Sequence, residues 1–290
     1  MTIRIARDVV FSRARIGWNH GKGPMQEAAL KLDAYLPLVP SREPAPALVM
    51  AFGGAFHRGT KEDDSFSDGV GRSTAVAEYC RRFAALGMPS FSVQYRLAQV
   101  DPEPGRDPVL TQPDAIPMSR INPVRVELGL PPVGARQMAG IMEAAFEDVG
   151  HAVRFVKANA ASWGVDPGRI VLGGFSAGGR CAMYAAYGKR VGVAGVVSIS
   201  GPLVPADAAA YLARGGDLPP LQLISGERDL DYVCRFVPEI ERQFRAAGRP
   251  VAWSMVPGAT HFFPAEAVTS DGRPVIDVMR SSIEGWVGRL

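Results

Sequence analysis

Gly174-Phe175-Ser176-Ala177-Gly178 fits the pattern G-x-S-x-G. A short apolar run, Ile170-Val171-Leu172, leads into it, and small and apolar residues from Cys181 to Ala186 follow it. Strand, sharp turn and helix is the order that lifts a serine hydroxyl clear of the backbone, at the positive end of the following helix. Glycine at 174 and 178 suits a turn too tight for side chains on both flanks. A neutral hydroxyl is a weak nucleophile, so Ser176 needs a base for its proton and N–H donors for the oxyanion it would create.

Candidates for those partners lie at the ends of other apolar runs. Four histidines are available. His151 reads as a helix-face residue, and His20 sits beside Trp18 and Gly21 to Gly23 in a stretch without a clear pattern. His57 adjoins Gly53-Gly54-Ala55, which follows the apolar run Ala47 to Phe52. His261 follows the run Val251 to Val256 and the turn Pro257-Gly258. Among acids, Asp229 comes just after Leu221 to Gly226, and Asp231 could cap the helix that follows. Asp229 is favoured, and Asp231 remains the competitor.

The elements that must position these groups alternate along the chain. Ala29 to Leu36 reads as an antiparallel strand, and Ala47–Phe52, Pro89–Tyr95, Arg169–Gly173, Val191–Ile199, Leu221–Ser225 and Val251–Val256 as further strands. Helical spacing covers Ala75–Leu86, Gln137–Ala161, Tyr232–Ala246 and Pro274–Val287. Residues 1–28 read as a surface arm, and 201–218 as a small insertion. Eight prolines between 102 and 132 forbid long regular structure there, so about 98–140 is expected to form a lid. Alternating strands and helices imply an α/β protein: one domain over 1–290, with a mostly parallel sheet covered on both faces. Ligands then belong beyond the carboxyl ends of the strands, where Gly53-Gly54, Ser176, Asp229 and His261 all fall.

Bulk properties narrow the class. The net charge is only +3 and no basic block occurs, so nothing points to nucleic acid. No apolar window is long enough to span a membrane, and the first residues lack the apolar core of a signal peptide. Three scattered cysteines, Cys80, Cys181 and Cys234, indicate neither a disulfide framework nor a metal site. A cytoplasmic protein with reduced thiols is expected, with Cys181 packed in the core. Glu147 and Asp148 read as structural partners of an arginine, and Asp166-Pro167 as a turn ahead of a strand.

The turn Phe52-Gly53-Gly54-Ala55-Phe56, Tyr95-Arg96-Leu97-Ala98, the Asp166-Pro167-Gly168-Arg169-Ile170 lead into GFSAGG, the Asp229 segment and the His261-Phe262 end resemble serine esterases of the α/β-hydrolase superfamily. The likeness is to hormone-sensitive-lipase-like carboxylesterases, of the fold-3 and BD-FAE-like kind, and it spans residues 46–263. Phe52 departs from the histidine usual at the start of the oxyanion turn, and Ala55 from its third glycine. The segment after Ala98 departs as well.

The resemblance implies a carboxylic ester hydrolase without metal or cofactor. Ser176 would be the nucleophile, His261 the base, and Asp229 the residue that orients it. The N–H groups of Ala177 and, by resemblance, Gly54 and Ala55 would form the oxyanion hole. Phe56, His57, Phe175 and Phe262 are expected to line the substrate pocket, whose apolar walls suit short to medium uncharged acyl groups. The partner is a small-molecule ester, and a homodimer is left open. An amidase, a lactonase, a carbohydrate deacetylase or a non-catalytic ligand-binding relative could use the same residues.

Overall fold

The computed structural model describes residues 3–18, 24–39, 41 and 43–290. His20 and Gly21 to Gly23 lie outside the described residues. Eight strands form one sheet: β1 (Ile3–Ile16), β2 (Gln26–Pro37), β3 (Ala45–Ala51), β4 (Ser90–Val93), β5 (Val165–Phe175), β6 (Gly195–Ile199), β7 (Leu221–Gly226) and β8 (Val251–Val256). Their order across the sheet is β1-β2-β4-β3-β5-β6-β7-β8. The pairs β1–β2 and β2–β4 are antiparallel, and all the others are parallel.

Every residue of β3, β4, β6 and β7 is buried. Successive side chains of a strand point to opposite faces, so both faces of the central sheet are covered. The helices are α1 (Val76–Ala85), α2 (Ile121–Glu127), α3 (Ala135–Ala158), α4 (Ala160–Trp163), α5 (Ala177–Met183), α6 (Pro205–Ala213), α7 (Asp231–Ala246) and α8 (Val275–Val287). α1 packs on β2, β3 and β4, α8 on β5, β6 and β7, and α7 on β7 and β8. α3 and α5 pack on β3 and β5 and on each other. Among the described residues no helix is long and apolar enough to cross a membrane.

The surface-arm reading of residues 1–28 is corrected: β1 is a fourteen-residue edge strand. Its alternation is hidden because register shifts between Ala6 and Val9 and between Val10 and Ser12 break the period of two. The insertion 201–218 holds α6, which opens on Pro205 at a position where its missing N–H costs nothing. The strand expected from Val191 starts only at Gly195. The Asp166-Pro167 turn is a bulge inside β5, since Ala45 pairs with Val165 and Ala47 with Ile170.

The proline-rich segment contains the short α2, with Pro123 in its first turn. Buried carboxylates stitch it down. Glu143 of α3 accepts the N–H groups of Val109 and Leu110, both at 2.7 Å, and Asp207 of α6 accepts that of Thr111 at 2.7 Å. The expected arginine partner of Asp148 is Arg96, whose Nη2 lies 2.8 Å from the carboxylate, with Glu147 3.6 Å away. Cys181 is fully buried, as expected.

Candidate active site

Ser176 stands between β5 and α5 with φ 53° and ψ −115°, a backbone conformation that serine rarely adopts. The surroundings impose it. The Ser176 N–H donates to the Ile199 carbonyl at 2.7 Å, and its own carbonyl accepts the Arg180 N–H at 3.0 Å. A Cβ at Gly174 would lie 2.4 Å from the Gly178 carbonyl carbon, and one at Gly178 would lie 2.0 Å from the Ala51 oxygen. Both glycines are therefore demanded by close backbone approach.

The loops after β5, β7 and β8 bring three distant side chains together. His261 Nε2 lies 2.8 Å from Ser176 Oγ, and His261 Nδ1 lies 2.6 Å from Asp229 Oδ1. All three residues are buried. Asp229 is pinned on its other sides. Ser200 Oγ–H donates to Oδ2 at 2.5 Å, the Leu230 N–H to Oδ1 at 2.7 Å, and the Gly226 N–H to Oδ2 at 3.3 Å. Asp231 is not part of this chain of contacts. It is the first residue of α7, and Leu230 rather than Asp231 occupies the capping position. Ser200 was not singled out from sequence. Its position after β6, one strand over from Ser176, is the only signal for it.

The turn after β3 faces Ser176. Gly54 and Ala55 line a cavity together with Ser176, Phe175, His261 and Phe262. Ala55 also lines a second cavity, with Phe56, Ser176, Ala177, Arg180 and Tyr232. Ala177 opens α5, so its N–H has no acceptor within the helix. Phe52 takes over support of the turn by different means: its ring stacks on Tyr95 at 4.3 Å, and Tyr95 O–H donates to the Phe52 carbonyl at 2.8 Å.

Asp64, which was not singled out from sequence, anchors the same turn from behind. It accepts the N–H groups of Gly53 and Val76, both at 2.7 Å. Burial pushes its carboxyl up to about 7 despite those two bonds. A carboxyl raised from 3.8 to about 7 makes the folded state bind the extra proton, so its contribution is fully present below the unfolded value and lost as pH rises through the folded one. Urea unfolding should therefore show stability falling as pH rises from about 4 to about 7, and a shallower fall in Asp64→Asn. That variant should also lose ~1–3 kcal/mol overall, because an amide nitrogen cannot accept the second N–H.

His57 does not line the pocket as expected. It is fully buried, with Nδ1 2.7 Å from the Ala55 carbonyl and Nε2 2.9 Å from Arg125 Nη1. Burial pushes its pKa down, and the Arg125 charge pushes the same way. A neutral ring that donates through Nδ1 and accepts from Arg125 satisfies both contacts. Together with the Arg58–Glu127 ion pair at 2.9 Å, it bolts the turn to α2.

The walls are also less apolar than Phe56, Phe175 and Phe262 suggested. Arg120 lines both cavities and Arg180 lines the one with Tyr232. Arg120 lies 5.8 Å from the Phe262 ring, and burial, aided by the Arg58 charge, pushes its pKa down. The two cavities measure about 20 Å³ and about 10 Å³. A carboxylate group elsewhere, Asp8, Asp33 and Glu62, has the spacing of a metal site. The Lys61 ammonium already sits on it, 2.8 Å from Asp33 and 3.2 Å from Asp8.

The BD-FAE family pattern matches residues 137–195, from α3 through Ser176 to the start of β6. No curated protein sequence matches the chain. Among solved structures, esterase 2 of Thermogutta terrifontis phosphorylated by paraoxon is similar at 16% identity and TM-score 0.65, over 99% of this chain and 95% of that one. The apo form of that esterase gives 17% identity and TM-score 0.63, over 91% and 92% of the two chains. Its propionate-bound form gives 19% and 0.57, over 88% and 84%. The sheet order, the turn at Ser176 and these likenesses agree that this chain has the α/β-hydrolase fold.

Proposed function

We propose that the protein hydrolyses carboxylic esters through an acyl-enzyme on Ser176. The observation that carries this reading is the unbroken contact line Ser176 Oγ–His261 Nε2, His261 Nδ1–Asp229 Oδ1, at 2.8 Å and 2.6 Å. Ser176 Oγ attacks the ester carbonyl while its proton passes to His261 Nε2. The carbonyl oxygen, now negative, is held by the N–H groups of Ala177, Gly54 and Ala55, of which one such donor is typically worth ~3–4 kcal/mol. Asp229, itself held by Ser200, Leu230 and Gly226, keeps the imidazole in one tautomer and supports its positive charge. His261 then gives the proton to the departing alcohol as the C–O bond breaks. Water, deprotonated by His261, attacks the acyl group and releases the acid.

The segment 98–140 acts as a lid in this reading. Pro117, Arg120 and Ile121 line the cavity above Ser176, and α2 is tied to the oxyanion turn through His57 and Arg58. Cavities of about 20 Å³ and 10 Å³ hold roughly one or two waters between them, which favours short acyl chains and requires the lid residues to yield to substrate. The likeness to an esterase that has been phosphorylated by paraoxon supports an activated serine in the same fold. The test is direct: the wild type should turn over 4-nitrophenyl butyrate, and diethyl 4-nitrophenyl phosphate should add one phosphoryl group, mapped to Ser176 by mass spectrometry. Absence of both would end the proposal.

A further inference from the structure

One side of the site carries positive charge that the protein does not neutralise. Arg180 is 4% exposed, and its Nη2 is buried without a hydrogen-bond partner. Its Nε donates to the Pro202 carbonyl at 3.2 Å, and its guanidinium lies 5.2 Å from the Tyr232 ring. Arg120 lines the same cavity. Arg58 is paired with Glu127, but neither Arg120 nor Arg180 has a carboxylate partner among the described residues. An unmet buried donor on a cation is costly to the fold, and a ligand that brings the acceptor removes the cost.

The reaction geometry says which half of the substrate meets this charge. His261 lines only the cavity shared with Phe175 and Phe262, and His261 must reach the leaving oxygen. The alcohol therefore belongs on that side. The acyl group belongs in the other cavity, where Arg180 and Tyr232 lie. Arg180 stands four residues after Ser176 on α5, about 6 Å further along the helix axis. Both residues line one cavity of about 20 Å³, which suits an acyl chain of only a few carbons.

Resting on the esterase reading above, we propose that the substrates are half-esters of short dicarboxylic acids, whose free carboxylate is bound by Arg180 with help from Arg120. A guanidinium matches a carboxylate with two parallel N–H bonds, a match that a neutral acyl chain cannot offer. The expected acyl group is thus anionic rather than the uncharged one that the phenylalanines alone imply.

The experiment is a pH-stat comparison of ethyl hydrogen succinate and ethyl hydrogen glutarate with ethyl butyrate and ethyl valerate. For the wild type, kcat/KM should favour the charged esters by about 10- to 100-fold, the value of a charge-assisted pair of bonds. Arg180→Gln should erase that ratio, chiefly by raising KM for the half-esters, and Arg180→Lys should restore part of it. Arg120→Gln leaves α5 untouched and should lower the ratio in the same direction. A binding arm needs no turnover: glutarate, but not valerate, should raise the melting temperature of Ser176→Ala, and Ser176→Ala with Arg180→Gln should lose that response. A wild type that hydrolyses the neutral esters as well as the charged ones overturns the inference and leaves the esterase reading standing. Glutarate stabilisation with no ester turned over overturns the esterase reading, and the half-ester substrates with it, and leaves only a carboxylate-binding site at Arg180.

Discussion

Ser176→Ala is expected to lower kcat for 4-nitrophenyl butyrate by a factor on the order of 10⁶, the loss seen when one member of such a Ser–His unit is removed. The fold should survive the change. Alanine can occupy the same strained backbone, φ 53° and ψ −115°, because the strain is imposed by the Ile199 contact and the glycine-lined turn rather than by the hydroxyl. Among the described residues one side-chain hydrogen bond is lost, that to His261, which is worth about 1 kcal/mol. Circular dichroism and thermal melting should therefore match the wild type while steady-state turnover collapses. Residual acceleration of about 10³–10⁴ over water from the oxyanion donors is compatible with the proposal. Retained turnover near the wild-type rate is not.

The second large effect separates the two histidines near the site. His261→Ala should also cost on the order of 10⁶ in kcat, since among the described residues the base hydrogen-bonded to Ser176 Oγ is His261. His57→Ala should behave differently. It leaves Ala55 O and Arg125 without their ring partner, so stability should drop by ~1–3 kcal/mol while the base stays in place. The stability share of His57 has its own pH signature. Its pKa is pushed below the ordinary 6.5, so its contribution is present above that value and lost as pH falls below it. Equal kinetic losses in the two variants would remove His261 from the role of base.

Much of this site was legible because its parts sit where strands end. Ser176, Asp229 and His261 each follow a run of apolar residues, and a parallel sheet gathers such ends along one edge. The glycine requirement at 174 and 178 was likewise readable, since only backbone crowding explains two glycines around one serine. The supports were not legible. Asp64 and Ser200 act through backbone amides and a carboxylate far away in sequence, and no local pattern marks them. Arg180 was not singled out, because nothing in a sequence tells a buried guanidinium from a solvated one. His57 was misplaced for the converse reason: proximity to the turn after β3 does not say which side of the backbone the ring takes. β1 was missed because its bulges scramble the two-residue rhythm by which strands are recognised.

That same bulged strand shapes how the molecule meets its own kind. β1 is an outer edge of the sheet, and among the described residues one side of it has no neighbouring strand. Arg4, Arg7, Asp8, Arg13 and Arg15 stud its length, and two irregularities twist it out of a flat line. A second copy laid alongside would meet a row of charged side chains and find no straight template to copy. Accretion of chains by strand addition is thereby discouraged at this border, and a crowded solution of the protein gains protection against clumping there.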